Sequence, residues 1–247
     1  PVLCELVYRW FMPPGGAVLD PFAGGSVRGI VASFLGFEYT GVDLSGPQLE
    51  ANKEQAVRIC AGKKNLPRWI MGDSQNLMSL LDDSGACPKV DFIFSCPPYF
   101  DLEVYSDDPK DLSNMEWSDF LVAYRKIIAS AVECLKPDRF ACFVVGDLRD
   151  RDGFYRGLLL ETVRAFTDAG MKFYNDAVLV TAVGSLPIRV GRQFEAYRKL
   201  GKTHQNLMVF WKGDLNTIRN DFGVPDFGNE QNFIGPASSG DLVERVD

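Results

Sequence analysis

The chain has 247 residues, 46% of them apolar and 24% charged, with a formal net charge of −7. That length buries a sizeable core in one or two domains of ordinary globular composition, and neither a membrane span nor a secretory signal is expected. Net acidity argues against indiscriminate attraction to polyanions. The six scattered cysteines (4, 60, 87, 96, 134, 142), with no C-x-x-C pair and one histidine, argue against a disulfide framework or a zinc site and fit a reducing cytoplasm.

Taken in order, short apolar runs alternate with helical patterns, the signature of βα units around a largely parallel sheet. The chain opens on Pro1 without a methionine and enters an apolar segment at once, as expected of a piece with a domain or partner before it. Strands are predicted near Ala17–Leu19, Tyr39–Val42, Arg68–Met71, Asp91–Phe94, Phe140–Val145, Ala177–Val180 and Leu207–Trp211. The unbroken apolarity of "FACFVV" predicts a central strand covered on both faces. Ser113 with Glu116 predicts a capping box, and Trp117, Phe120, Leu121, Tyr124, Ile127, Ile128, Ala131 and Leu135 then mark one helix face up to Lys136-Pro137. A second helix is predicted from about Arg156 to a stop at Gly170. Residues 1–213 read as one domain and residues 214–247, rich in Gly, Asn, Asp and Pro, as an irregular tail.

Charge is uneven. Between Gly184 and Gly213 lie six basic residues, Arg189, Arg192, Arg198, Lys199, Lys202 and Lys212, against Glu195 alone. Between Asp101 and Asp111, five acids face only Lys110. The first segment can meet phosphates as a nucleic-acid contact or stay a solvated loop, whereas the second repels them and is expected to form a mobile, solvated rim.

The chemistry concentrates at four predicted strand ends. "AVLDPFAGGSVRG" places Gly24, Gly25 and Gly29 between a strand and a helix, where a ligand can approach the backbone and free N–H donors are at hand. Asp43 ends the next strand, where a nucleotide-type βαβ unit offers a carboxylate to ribose hydroxyls. Asp73 follows the third strand, and Cys96-Pro97-Pro98-Tyr99 the fourth. In an open parallel sheet these ends share one edge, which is the ligand-binding edge.

"DPFAGGS" and "CPPY", with Asp43 and Asp73 between them, resemble the D-P-F-x-G-x-G and [DNS]-P-P-[YFW] motifs of S-adenosylmethionine-dependent amino-methyltransferases of nucleic acids. The resemblance covers roughly residues 1–213 and includes "KTHQNLMVFWKG" as a last strand. It implies a Rossmann-like class I methyltransferase domain, a three-layer αβα sandwich with a mainly parallel seven-stranded sheet and a reversed last strand. S-adenosylmethionine is the implied cofactor. Pro21, Phe22, Ala23, Gly24, Gly25 and Ser26 then bend around its methionine part, Asp20 approaches its amino group, Asp43 with Leu44 binds the ribose, and Asp73 with Ser74 takes the adenine. Cys96, Pro97, Pro98 and Tyr99 are the implied catalytic residues, the Pro97 carbonyl and the side chain before it holding amine hydrogens while Tyr99 stacks on a flipped base.

Two positions depart from the pattern. Ser26 stands at the second glycine, leaving Gly25 to shape the loop, and Cys96 replaces Asp, Asn or Ser although a thiol is a weak acceptor. Either the Pro97 carbonyl does most of the orienting, or the target atom is not the usual amine. Cytosine carbon-5 methyltransferases resemble P-P-C, with a nucleophilic thiol after the prolines; here it precedes them. The implied partner is double-stranded DNA with a flipped adenine (N6) or cytosine (N4), with RNA methylated at guanine N2 or adenine N6 next. The rival of another class is a non-catalytic subunit of a modification complex.

Overall fold

The computed structural model describes residues 1–83, 89–180 and 186–223. The element order is α1 (Val2–Phe11), β1 (Ala17–Asp20), α2 (Val27–Phe34), β2 (Glu38–Asp43), α3 (Gly46–Ile59), β3 (Arg68–Met71), α4 (Leu77–Asp83), β4 (Val90–Ser95), α5 (Trp117–Cys134), β5 (Leu135–Val145), α6 (Leu158–Asp168), β6 (Lys172–Val180), α7 (Leu186–Tyr197), β7 (His204–Lys212) and α8 (Ile218–Phe222). The strands form one sheet in the order β3-β2-β1-β4-β5-β7-β6. β1 to β5 run parallel, and β7 is antiparallel to both neighbours. Every predicted strand lies within an observed one.

Alternation along the central strands divides the core into two. On β4 and β5, Phe92, Phe94, Phe140, Cys142 and Val144 face Tyr8 of α1, Ala32 of α2 and Leu49 of α3. Ile93, Ala141, Phe143 and Val145 face Leu81 of α4, Tyr124 of α5 and Phe166 of α6. Residues of period two thus meet helices on both sides, which is why "FACFVV" is apolar without interruption. Strand order reverses between β1 and β4, so the ends of β1, β2 and β4 open onto a crevice at the switch point.

The base of the sheet is joined by one carboxylate. Asp91, at the start of β4, accepts from Lys136 Nζ at 2.9 Å, Arg139 Nε at 3.2 Å and the Ala17 amide at 3.1 Å, tying β1, β4 and β5 together. Burial pushes its pKa up, but these donors outweigh it and hold the carboxyl below its ordinary 3.8.

Four expectations change. The capping box is absent: Glu116 is the N-cap residue of α5 without a side-chain cap bond, and Ser113 instead sits in a 3-10 turn capped by Asp111. β6 starts five residues before the predicted strand because it is a solvated edge whose Lys172, Asn175 and Asp176 hide its periodicity. Much of the basic segment is α7, whose Val190, Phe194 and Tyr197 lie at i, i+4 and i+7 on one face, a short stripe that the charges between them obscure in sequence. The predicted tail is ordered at its start: Phe222 of α8 lies edge-on to Phe140 at 5.2 Å. Residues 224–247 lie outside the described residues.

Asp91→Asn is expected to lower stability at neutral pH. A depressed folded pKa contributes stability above the unfolded pKa and loses it as pH falls through the folded one, so the wild-type advantage shrinks progressively below about pH 4. Urea unfolding of both proteins at pH 7 and pH 3 checks this.

Candidate active site

The glycine loop is built on Asp20. Its carboxylate is fully buried. Oδ1 accepts from Ser95 Oγ at 2.5 Å and the Phe22 amide at 3.2 Å, and Oδ2 from Arg28 Nε at 2.5 Å and Tyr39 OH at 2.7 Å. Arg28 continues to the Phe22 and Ala23 carbonyls, both at 2.8 Å. The expected role of Asp20 at the cofactor's amino group is therefore corrected: its acceptor positions are filled, and it fixes the loop from beneath. Burial opposes charge on Arg28, but the Asp20 carboxylate beside it raises its pKa well above the ordinary value. Arg28 therefore stays protonated beneath the loop.

The turn itself depends on Gly24, at φ +49°, which favours a residue without Cβ. Gly25 is not among the positive-φ residues, so the sequence assignment of the turn to Gly25 is corrected. Ser26 sits at φ −70°, where no glycine is needed, and its hydroxyl donates to Gln55 at 2.6 Å. A Cβ built on Gly24 or Gly25 would meet nothing within 4 Å, leaving an open approach to the backbone. Pro21 and Ala23 are buried beneath it, and Ser74 Oγ donates to the Pro21 carbonyl at 2.7 Å.

The two remaining carboxylates stay accessible. Asp43 accepts from the Gly24 amide through Oδ2 and the Ser45 amide through Oδ1, each at 2.8 Å, so each oxygen keeps a lone pair. Leu44 follows it, half-buried. Asp73 caps a short 3-10 turn through the Gln75 amide at 2.9 Å and is half-buried. Gly41 holds β2 close to the loop: a Cβ there would lie 2.7 Å from that of Ala23. These groups fit S-adenosylmethionine, with Asp43 for hydroxyls, Asp73 for an amine and the open Gly24–Gly25 turn for the amino-acid end.

Beyond β4, a cleft of about 190 Å³ is lined by Cys96, Pro97, Tyr99, Leu102, Glu103 and Tyr105. Pro97 is buried and Pro98 half-buried. Tyr99 OH accepts from Gln205 Nε2 at 2.9 Å and donates to the Val144 carbonyl at 3.4 Å, and its ring passes close to Gly146. Burial pushes its phenol well up, so it stays neutral. The next residue, Phe100, holds φ +51°, strained for a bulky side chain. Its ring is buried against Trp117 at 5.2 Å and Phe120 at 5.4 Å, with the Arg156 guanidinium 4.8 Å away. That packing fixes the direction in which the chain leaves Tyr99.

Cys96 lacks the surroundings of an activated nucleophile. Burial pushes its thiol up to about 11, and the neighbouring Arg28 guanidinium offsets this only in part. The acidic run after Tyr99, expected as a mobile rim, is pinned: Asn114 Nδ2 donates to the Ser106 and Asp108 carbonyls, and Ser106 Oγ to Asp111.

The basic residues divide. Arg189 lies on α7 with its side chain outside the described residues; Arg192 is exposed on the same helix, and Arg198, also exposed, follows it. Lys199 packs over Gly153, and Lys202 lies 6.0 Å from the Tyr155 ring, which Arg149 covers at 3.9 Å. The result is a basic, aromatic rim next to the end of β5. Sequence reasoning missed Arg28, Ser95, Arg149 and Gln205. Only Arg28 carried a signal, as a lone charge in an apolar helix.

At pH 8, Cys96 is expected to alkylate with iodoacetamide about 100-fold more slowly than an unperturbed thiol of pKa 9.0. Peptide-resolved mass spectrometry reads this; labelling at the rate of a free thiol would contradict it.

No known sequence family matches the chain, and no curated protein matches it in sequence. Solved structures do. TrmN from Thermus thermophilus superposes with TM-score 0.55 at 18% identity over 86% of this chain and 48% of its own, so the chain spans about half of that protein. Magnesium protoporphyrin IX methyltransferase (ChlM) from Synechocystis, with bound SAM, gives 0.52 at 12% over 86% and 76%. A TehB-like SAM-dependent methyltransferase from Corynebacterium glutamicum gives 0.50 at 15% over 85% and 86%. At such identities the likeness establishes the fold: a Rossmann-like class I methyltransferase fold, a three-layer αβα sandwich with a mainly parallel seven-stranded sheet.

Proposed function

We propose that the chain is an S-adenosylmethionine-dependent methyltransferase acting on an exocyclic amine of a DNA base, adenine N6 ahead of cytosine N4. The observation that carries this reading is the convergence of the Gly24–Gly25 turn, Asp43, Asp73 and the Cys96–Tyr99 cleft on the C-terminal ends of β1 to β4. The resemblance of "DPFAGGS" and "CPPY" to amino-methyltransferase motifs supports the same reaction, and the SAM-dependent proteins of like fold support the cofactor.

The bound cofactor would supply an electrophilic methyl group on a sulfonium. The chain's own work is positioning. Asp43 and Asp73 hold the ribose and adenine, and the turn beneath them, stiffened by Asp20 and Arg28, sets the depth of the amino-acid end. Tyr99, anchored by Gln205, presents a rigid aromatic wall. The cleft, about 190 Å³, is on the scale of one planar base. The base therefore leaves its stack, as in other enzymes that do chemistry on a base within a duplex. Arg149, Lys199 and Lys202 form the side on which phosphates are favoured, whereas the acids pinned by Asn114 repel them.

Isotope-labelled S-adenosylmethionine, offered with separate DNA and RNA pools that are then digested to nucleosides, tests this. Labelled methyladenine or methylcytosine from DNA is expected, with Asp43→Ala weakening cofactor affinity at least about tenfold through loss of charge-assisted hydrogen bonds. Label in RNA alone would move the substrate class. Cofactor binding without transfer to either pool would favour the non-catalytic subunit, and no cofactor binding would overturn the proposal.

A further inference from the structure

The cleft beside Cys96 contains one charged group without a role, Glu103. An exocyclic amine attacks well only when acceptors hold its hydrogens and turn its lone pair toward the electrophile. In this cleft the side chain before the prolines is a thiol, a weak acceptor that already neighbours the Arg28 guanidinium. The Tyr99 hydroxyl is committed to Gln205 and Val144. The Pro97 carbonyl can take one hydrogen, and the strongest acceptor left on the cleft wall is the Glu103 carboxylate.

Glu103 is also held ready. Tyr105 OH donates to Glu103 Oε2 at 3.0 Å, and the Tyr105 amide donates to Ser113 Oγ at 3.4 Å. Ser113 is in turn fixed by Asp111 at 2.8 Å. Burial, with the Glu103 carboxylate adding to it, pushes the Tyr105 phenol up to about 12, so it remains a donor. Leu102 and the rings of Tyr99 and Tyr105 complete apolar walls suited to a base.

We propose that Glu103 is the specificity-determining acceptor of the base cleft, its carboxylate receiving one N–H of the target amine in place of the side-chain acceptor that Cys96 does not supply. This rests on the amino-methyltransferase reading. With one hydrogen on Glu103 and the other on the Pro97 carbonyl, the nitrogen lone pair is free. It forms the N–C bond to the methyl carbon as the C–S bond breaks and its electron pair returns to sulfur. The surplus proton on nitrogen passes through the Glu103 carboxylate to solvent, which that exposed side chain reaches. A base with a carbonyl in place of the amine would set two acceptors against each other and be rejected.

The test compares wild type with Glu103→Ala and Glu103→Gln on a duplex carrying the unmethylated target base, and on the same duplex with its amine replaced by a carbonyl: hypoxanthine for adenine, or uracil for cytosine. Because Glu103 is exposed, both variants should fold and keep wild-type cofactor affinity. Glu103→Ala is expected to lose about 10- to 100-fold in kcat/KM. Glu103→Gln, whose amide also donates, is expected to shift binding preference toward the carbonyl duplex at least about tenfold. A wild type that transfers methyl groups while both variants stay within about twofold, with unchanged preference, overturns the role of Glu103 alone. A wild type that binds cofactor but transfers to neither DNA nor RNA overturns this role and the reading beneath it together.

Discussion

The buried carboxylate of Asp20 is the constraint around which the site is organised. A charge without solvent is costly by several kcal/mol unless it is paired and hydrogen-bonded. Asp20 meets that demand with Arg28, Tyr39, Ser95 and the Phe22 amide, one donor from each of the segments that must come together. Ser95 ends β4, Tyr39 belongs to β2, Arg28 to α2, and Asp20 itself ends β1. Satisfying one carboxylate therefore fixes the relative depth of the β1 and β4 ends, of β2 through Tyr39 near its start, and of the glycine turn. Removing a partner from such a pair costs about 3–5 kcal/mol, so the arrangement is specific as well as tight. Tyr8 extends it outward, donating to the Arg28 carbonyl at 3.0 Å from α1.

On that base the exposed chemistry is light. Asp43 and Asp73 keep acceptor capacity because backbone amides fill only part of it, while Gly24 and Gly25 leave space that any side chain would occupy. Across the switch point, Tyr99 is locked by Gln205 and the chain is turned at Phe100 by a left-handed backbone held in an aromatic box. A rigid wall and a fixed turn, each held by buried packing behind it, are what the proposed methyl transfer would need, because its catalysis would come largely from orientation.

Much of this was legible in the sequence, for local reasons. The strands are bounded by period and turn residues, the carboxylates directly follow apolar runs, and two prolines before a tyrosine have no use inside a strand. What escaped depends on distant pairings. Gln205 meets Tyr99 across 106 positions, and Ser95 meets Asp20 across 75. Asp20 looked like a cofactor ligand because sequence gives its place at a strand end but not the donors that converge on it. α7 escaped because Arg192, Gln193 and Glu195 interrupt its short Val190–Phe194–Tyr197 stripe, and β6 because an edge strand has no buried face to impose alternation.

If the four strand ends form one site in which a cofactor and a base meet, the cofactor's position is fixed by residues already named. A crystal structure with S-adenosylhomocysteine tests this most directly. Ribose hydroxyls are expected on the Asp43 carboxylate, the adenine at Asp73, the amino-acid end over Gly24–Gly25 and the sulfur facing the Cys96–Tyr99 cleft. A ligand bound away from these residues, or with its sulfur turned from the cleft, would contradict it.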